Sequence, residues 1–184
     1  MVKPGDGLET LDALRIEPFK VDKHSVLVGP LTELLHEAYG GLAQKGFRYL
    51  ASYQSVEQTL ERLSRDEFFL AFWENRLVGT LSLYRSKPDS LCEYYRRPGL
   101  VHFGQFAVQT AFQGRGIARK LLQHMERRAG ERGASEIALD TAEGATELIE
   151  MYQRHGYLTV SNTQWSTTNY PSVVMAKRLN GARG

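Results

Sequence analysis

The chain holds a single cysteine, Cys92, so an intrachain disulfide cannot form and a thiol-rich zinc site has too few ligands. That usage suits a reducing compartment. No apolar run is long enough to cross a bilayer, and no stretch has the order of a secretory leader, so the expectation is a soluble cytoplasmic protein with no membrane partner. Neither sign of charge is in large excess. With 23 basic and 21 acidic side chains the net charge is +2, too little to hold nucleic acid mainly by electrostatics, and no nucleic-acid partner is expected. Arg127, Arg128 and Arg132 gather along one predicted helix and are expected to form a solvated face. Internal repeats and low-complexity tracts are lacking too. Apolar residues make up 42% of 184 positions with no compositional break, which predicts one domain over residues 1–184, residues 1–10 and 180–184 being flexible tails.

What is present is an alternation of strand and helix signals. Leu14, Ile16 and Pro18 alternate with Arg15 and Glu17, as in a strand with one buried face. Leu31, Leu34, Leu35 and Ala38 mark one face of a helix expected to end at Gly40-Gly41, and Val56, Leu60 and Leu63 mark a second helix starting near Ser55. Between them, GLAQKGFRYLASYQ has no period; packing is its default role and a pocket wall the alternative. Phe68–Trp73 and Arg76–Tyr84, separated by Glu74-Asn75, predict a hairpin. Arg85–Pro98 is polar and long enough for either a lid or a connector. Further on come a strand at Glu136–Asp140, a helix with Leu148, Ile149 and Tyr152 on one face, stopped at Gly156, and two strands over 157–165 and 172–178.

The most informative stretch is Val101–Leu122, VHFGQFAVQTAFQGRGIARKLL. It runs from strand through a glycine turn into a helix whose spacing is set by Ile117, Leu121, Leu122 and Met125. Gly114 and Gly116 let backbone amides approach a ligand, and the helix that follows has unpaired amides at its partly positive end, so the turn suits phosphate. A P-loop would need a Lys-Ser/Thr pair that is missing. A dinucleotide fingerprint would place glycine where Arg119 stands. Gln113-x-x-Gly116-x-Ala118, with its flanks, closely resembles the acetyl-CoA-binding motif of the GCN5-related N-acetyltransferase (GNAT) family. Gly144–Tyr157 resembles that family's second signature, with Met151 and Tyr157 as conservative changes and Ala145 where many members have Asn. In element order the resemblance spans residues 13–179; it is specific over 101–157.

The resemblance implies an α/β fold: a central, mostly antiparallel sheet of six or seven strands flanked by helices, with a parallel pair, Val101–Val108 and Glu136–Asp140, splayed at the cofactor cleft. Gly104 is a candidate bulge there. It also implies an N-acetyltransferase that moves the acetyl group of acetyl-CoA to a primary amine of a small molecule or peptide, directly in a ternary complex and without a metal. Backbone amides of Gln113, Gly114, Arg115, Gly116, Ile117 and Ala118 would hold the pyrophosphate, with Arg115 and Arg119 as charged contacts or solvated side chains. Phe106, Ala107 and Val108 would pair with the pantetheine arm, and Val108 N–H would polarise the thioester carbonyl. Tyr152 matches the family's general acid. For the base, His102 occupies the position where some relatives have glutamate, and Glu93, Asp140 and water are rivals. Tyr84, Phe47, Tyr49 and Trp165 are candidates for the acceptor wall. Cys92 lies outside the motifs and suggests no covalent intermediate. A homodimer is compatible with the resemblance. Other classes left open are a non-catalytic acyl-CoA-binding module, motivated by Ala145 and the missing acidic base, and a nucleotide or nucleic-acid binder built on the glycine turn.

Overall fold

The computed structural model describes residues 13–179; both expected tails, 1–10 and 180–184, lie outside the described residues. Seven strands, β1 (Leu14–Pro18), β2 (Glu67–Trp73), β3 (Arg76–Arg85), β4 (Leu100–Val108), β5 (Glu136–Ala142), β6 (Leu158–Thr163) and β7 (Ser172–Arg178), form one mixed sheet. The order across it is β1-β2-β3-β4-β5-β7-β6. The β4–β5 pair is parallel and the others are antiparallel. The helices are α1 (Val21–His24), α2 (Val28–Gln44), α3 (Val56–Leu63), α4 (Ile117–Glu131) and α5 (Thr146–Arg154). This is the expected mixed α/β architecture, with seven strands.

Each face of the sheet is covered by a helix whose apolar stripe the sequence spelled out. Ile117, Leu121, Leu122 and Met125 of α4 are at most 1% exposed against Phe69, Leu81, Phe103 and Ile137, each contributing about 1.5–3 kcal/mol of apolar burial. On the opposite face Val28, Leu31, Leu34 and Leu35 of α2 pack on Phe68, Leu70, Phe72 and Ala107. The β2–β3 hairpin turns through Glu74 and Asn75, both at positive φ (46° and 66°), the two-residue turn whose twist matches that of the strands it joins.

Four expectations need correction. Helix α2 does not stop at Gly40-Gly41 but runs on to Gln44, ending before the left-handed Gly46; tertiary contacts of Leu42 and Tyr39 hold the extra turn against the sheet. In α3 the buried residues are Thr59 and Leu63, while Val56 and Leu60 are 44% and 45% exposed, because Thr59 is drawn inward by hydrogen bonds to Thr32 and Gln54. Ser55 does start that helix, through a capping box with Gln58. The segment 85–99 is no free lid: Cys92 and Tyr95 are 2% exposed and pack on Leu100, Ala138 and Val174. Arg128 and Arg132 are not merely solvated, since Arg128 makes a two-pronged pair with Glu67 at 2.7 and 2.8 Å and Arg132 reaches Asp66 at 3.4 Å, tying α4 to the start of β2.

Candidate active site

The site begins with a break in the sheet. β4 and β5 pair only through Leu100–Glu136, Val101–Ile137 and His102–Ala138. Beyond that point β4 stays with β3 as far as Val108, and β5 stays with β7 as far as Ala142, so the two strands part. The cause is one extra residue in β4: Ser82 faces Gly104, but Thr80 faces Ala107. The bulge residue is Gln105, at φ 50°, rather than the expected Gly104, and a bulge bends its strand away from its neighbour. Gln105 keeps this strained conformation because its side chain is 4% exposed and held in a buried polar cluster, its amide 3.3 Å from that of Gln54.

The parting leaves an open strand edge. Gln109 N–H donates to Val78 O at 2.8 Å, so that residue pair carries the ladder bonds, and the alternation of an antiparallel pair turns the N–H and C=O of Val108 away from β3 and into the gap. Val108 C=O accepts from Gln113 Nε2 at 3.1 Å, and Phe106 C=O accepts from the Tyr39 hydroxyl at 3.2 Å. Past β4 the chain bends through Gly114 (φ 75°) and Gly116 (φ 80°) into α4. The first intrahelical bond, Lys120 N–H to Gly116 O, leaves the amides of Ile117, Ala118 and Arg119 as the orphan donors of the helix N-terminus. Nothing lies within 4 Å of where a Gly114 Cβ would stand, so the turn is open to a ligand.

These parts surround one cleft of about 330 Å³. Of the residues expected at the cofactor, Phe106, Ala107, Val108, Gln113, Gly114, Gly116, Ile117, Ala118 and Tyr152 line it. Arg115 and Arg119 do not; both are exposed, and Arg115 lies over the Phe112 ring at 5.3 Å. The far wall is supplied by Tyr39, Leu42, Asp140, Thr141, Leu148 and Met151. Leu42 was missed because the expected helix end at Gly40-Gly41 cut off the turn that carries it over the cleft, and Tyr39, within the expected helix, lies outside the apolar stripe that marked it.

Three groups at the cleft can move or hold a proton. Tyr152, 6% exposed, has its phenol pushed well above the ordinary value by burial and by the nearby Tyr39, Tyr49 and Asp140, so it stays protonated and can donate. Asp140 is raised by burial, an effect opposed by hydrogen bonds from Trp165 Nε1 to Oδ2 at 2.8 Å and from the Tyr95 hydroxyl to Oδ1 at 2.9 Å. Tyr49 spans to the same strand, its hydroxyl 2.8 Å from Thr141 Oγ1 and accepting from Ala142 N–H. His102 does not line the cleft. It is stacked under Tyr95 at 4.2 Å, with Tyr84 at 5.2 Å on its other side and Nδ1 buried without a partner. Burial and the charge of Lys87 lower its pKa to about 4. Glu93 is exposed, away from the cleft. Phe47 packs edge-on against Tyr170.

Residues 30–157, most of the chain, match the family model described as the Acetyltransferase (GNAT) family. The chain belongs to the GNAT family of acetyltransferases. This acetyltransferase is 28% identical over 151 residues to the S-(2-succino)cysteine N-acetyltransferase of Bacillus subtilis (strain 168), a match spanning 81% of the chain and 88% of that protein. A crystal structure from Pyrococcus horikoshii OT3 shares its fold with a TM-score of 0.67 at 24% identity, covering 91% of this chain and 99% of that one. So does a GNAT acetyltransferase from Elizabethkingia anophelis with acetyl-CoA bound, with a TM-score of 0.62 at 17% identity over 91% of this chain and 99% of that one. No group of metal-ligating side chains is assembled among the described residues of the acetyltransferase, and none of its described helices is long and apolar enough to cross a membrane.

Proposed function

We propose that the described residues act as one unit that transfers the acetyl group of acetyl-CoA to the primary amine of a small molecule, directly and within a ternary complex. The observation that carries this reading is the cleft itself: an open strand edge, a glycine turn with orphan amides, a protonated phenol and a partly buried carboxylate share one 330 Å³ space. The amides from Gly114 to Ala118 hold the pyrophosphate, with the positive end of α4 behind them. Phe106 C=O and Val108 N–H offer the pantetheine arm the hydrogen bonds that a neighbouring strand would otherwise make, and Val108 N–H faces the thioester carbonyl, where negative charge grows.

Asp140, rather than His102, receives the amine. As a carboxylate it holds the incoming ammonium and takes one proton, which frees the nitrogen lone pair to form the N–C bond. His102 is too weak a base to do this efficiently near neutrality and acts instead as the platform that positions Tyr95, which in turn orients Asp140. When the C–S bond breaks, the departing thiolate takes the Tyr152 proton, and the surplus proton on the new amide nitrogen restores the phenol. A small, amino-acid-like acceptor is favoured by the Bacillus subtilis relative, whose name gives a substituted cysteine as its substrate.

The test is Tyr152→Phe, which keeps the ring and removes only the hydroxyl. Its kcat for a good acceptor should fall by about 10²–10⁴-fold while the acetyl-CoA Kd is retained. An unchanged kcat would remove Tyr152 from the chemistry.

A further inference from the structure

The cleft also carries a pair of hydroxyls that the chemistry above leaves unused. Tyr49, from the segment between α2 and α3, and Thr141, near the end of β5, both line it, and their oxygens stand 2.8 Å apart. The Tyr49 oxygen also accepts from Ala142 N–H at 2.9 Å. That amide lies beyond the last β4–β5 pair, His102–Ala138, so the phenol meets an edge of β5 that β4 has already left. The Tyr49 ring is held in place: it packs against Tyr39 and Tyr170 at centroid distances of 5.3 and 4.9 Å. Its flank is tied down by Asn169, which accepts from Arg48 N–H and donates to Gly46 C=O, each at 2.9 Å.

Two hydroxyls bring two protons, and the contact between them uses one. Ala142 N–H is a donor and takes neither. The two oxygens have no further partner among the described residues, so one O–H is left to face the cleft whichever hydroxyl donates to the other. The remaining hydroxyls of the lining are already committed: Tyr39 donates to Phe106 C=O at 3.2 Å, and the Tyr152 proton goes to the departing thiolate. Thr141 is 2% exposed, and a polar hydrogen held out of water without an acceptor is costly until a ligand supplies one. The spare donor is also well placed. Thr141 follows Asp140 directly in β5, and both line the same cleft, so a short acceptor whose amine sits at Asp140 can reach the hydroxyl pair as well.

We infer that the Tyr49–Thr141 pair donates a hydrogen bond to a carbonyl oxygen on the carbon next to the one that bears the reacting amine, so that the acceptor class is the α-amino carbonyl compounds, amino acids and their amides. This rests on the reading that the amine is acetylated beside Asp140. The pair orients the acceptor and sets specificity; it exchanges no proton in the transfer.

The experiment measures CoA release by the full chain with two matched series, α-amino amides and primary alkylamines of the same length in which a methylene replaces the carbonyl. Because the series differ in amine basicity, the readout is the carbonyl-to-alkyl ratio of kcat/KM in each variant relative to the wild type. The double variant Tyr49→Phe/Thr141→Val should lower this ratio by about 3–10-fold, the worth of one neutral hydrogen bond, with the loss falling on the KM of the carbonyl series. Thr141→Val alone should leave the ratio nearly as it was, since Tyr49, still held by Ala142 N–H, then turns its own proton to the ligand. Tyr49→Phe alone should fall between, because the Thr141 hydroxyl is released but no longer braced. An unchanged ratio in the double variant, a ratio already lost in Thr141→Val, or variants that slow both series alike while lowering the melting temperature would overturn the inference and leave acetyl transfer standing. If the double variant does not fold, the single variants decide: a ratio lowered in Tyr49→Phe and kept in Thr141→Val supports the inference, and equal ratios in the two overturn it. CoA release with neither series would instead refute acetylation of small amines itself, and the inference with it.

Discussion

The two walls of the β4–β5 gap are built on different plans. The cofactor wall comes from one run of chain: the open edge at Phe106–Val108, the turn through Gly114 and Gly116, and the first amides of α4 follow one another within a few residues. It presents mostly backbone. The far wall is drawn from α2, β5 and α5, and it presents side chains: Tyr39, Leu42, Asp140, Thr141, Leu148 and Met151, with Asp140 held by hydrogen bonds from Tyr95 and Trp165. A backbone site serves a ligand whose phosphates and amides do not vary. A side-chain site can be refitted to a different acceptor without disturbing it.

If the walls are separable in this way, substitutions on one should leave the other's ligand alone. The largest effect is expected for Asp140→Asn, which removes the group proposed to hold and deprotonate the amine and should cut kcat/KM by about 10²–10⁴-fold with acetyl-CoA affinity retained. Burial raises Asp140 above the ordinary carboxylate value of 3.8, and the base works only when ionised, so the wild-type rate should climb with pH through that raised value. The limb should vanish in the Asn variant, as a pH–rate comparison would reveal. A loss of acetyl-CoA binding in Asp140→Asn would join the two walls.

Next in size is Gly116→Asp. At φ 80° any Cβ is strained, and the new carboxylate would meet the pyrophosphate at the helix N-terminus. Calorimetry should find acetyl-CoA bound about 100-fold more weakly. Unchanged affinity in a folded variant would move the phosphate site elsewhere.

The smallest effect on rate is expected at His102. Substitution to Gln should change turnover only a few-fold, since the ring positions Tyr95 and exchanges no proton near neutral pH. Stability should respond more. The folded-state pKa of about 4 lies below the ordinary 6.5, so the unfolded chain binds the proton first and stability is lost as pH falls through that window, by about 3 kcal/mol in all. Denaturant titrations at several pH values should find this acid sensitivity flattened in His102→Gln. A rate loss as large as that of Asp140→Asn would restore His102 as the base.

The contrast between the walls also explains what could be foreseen from sequence. Gln113, Gly116 and Ala118 lie close together and impose one backbone shape, so the glycine turn that lines the cleft was legible from sequence, and so were the strands and helices whose apolar period is regular. Arg115 and Arg119 stood open between phosphate contacts and solvated side chains, because a local motif fixes where the backbone goes and not where a long side chain points; both are exposed and outside the cleft lining. Asp140 stood only as a rival to His102; its partners Tyr95 and Trp165 are 45 and 25 residues distant and meet it only through the sheet order. Gln105 gave no signal at all, since a buried glutamine at positive φ is set by the Gln54–Arg62 cluster around it.

The central claim is that the gap between β4 and β5 brings acetyl-CoA and an amine together for transfer. Its most direct measurement is thiol release from acetyl-CoA by the wild-type chain over a panel of small primary amines. The account predicts release that depends on the amine and saturates with it. Tight acetyl-CoA binding with release that no amine in the panel accelerates would contradict it, and would describe a protein that holds the thioester without using it.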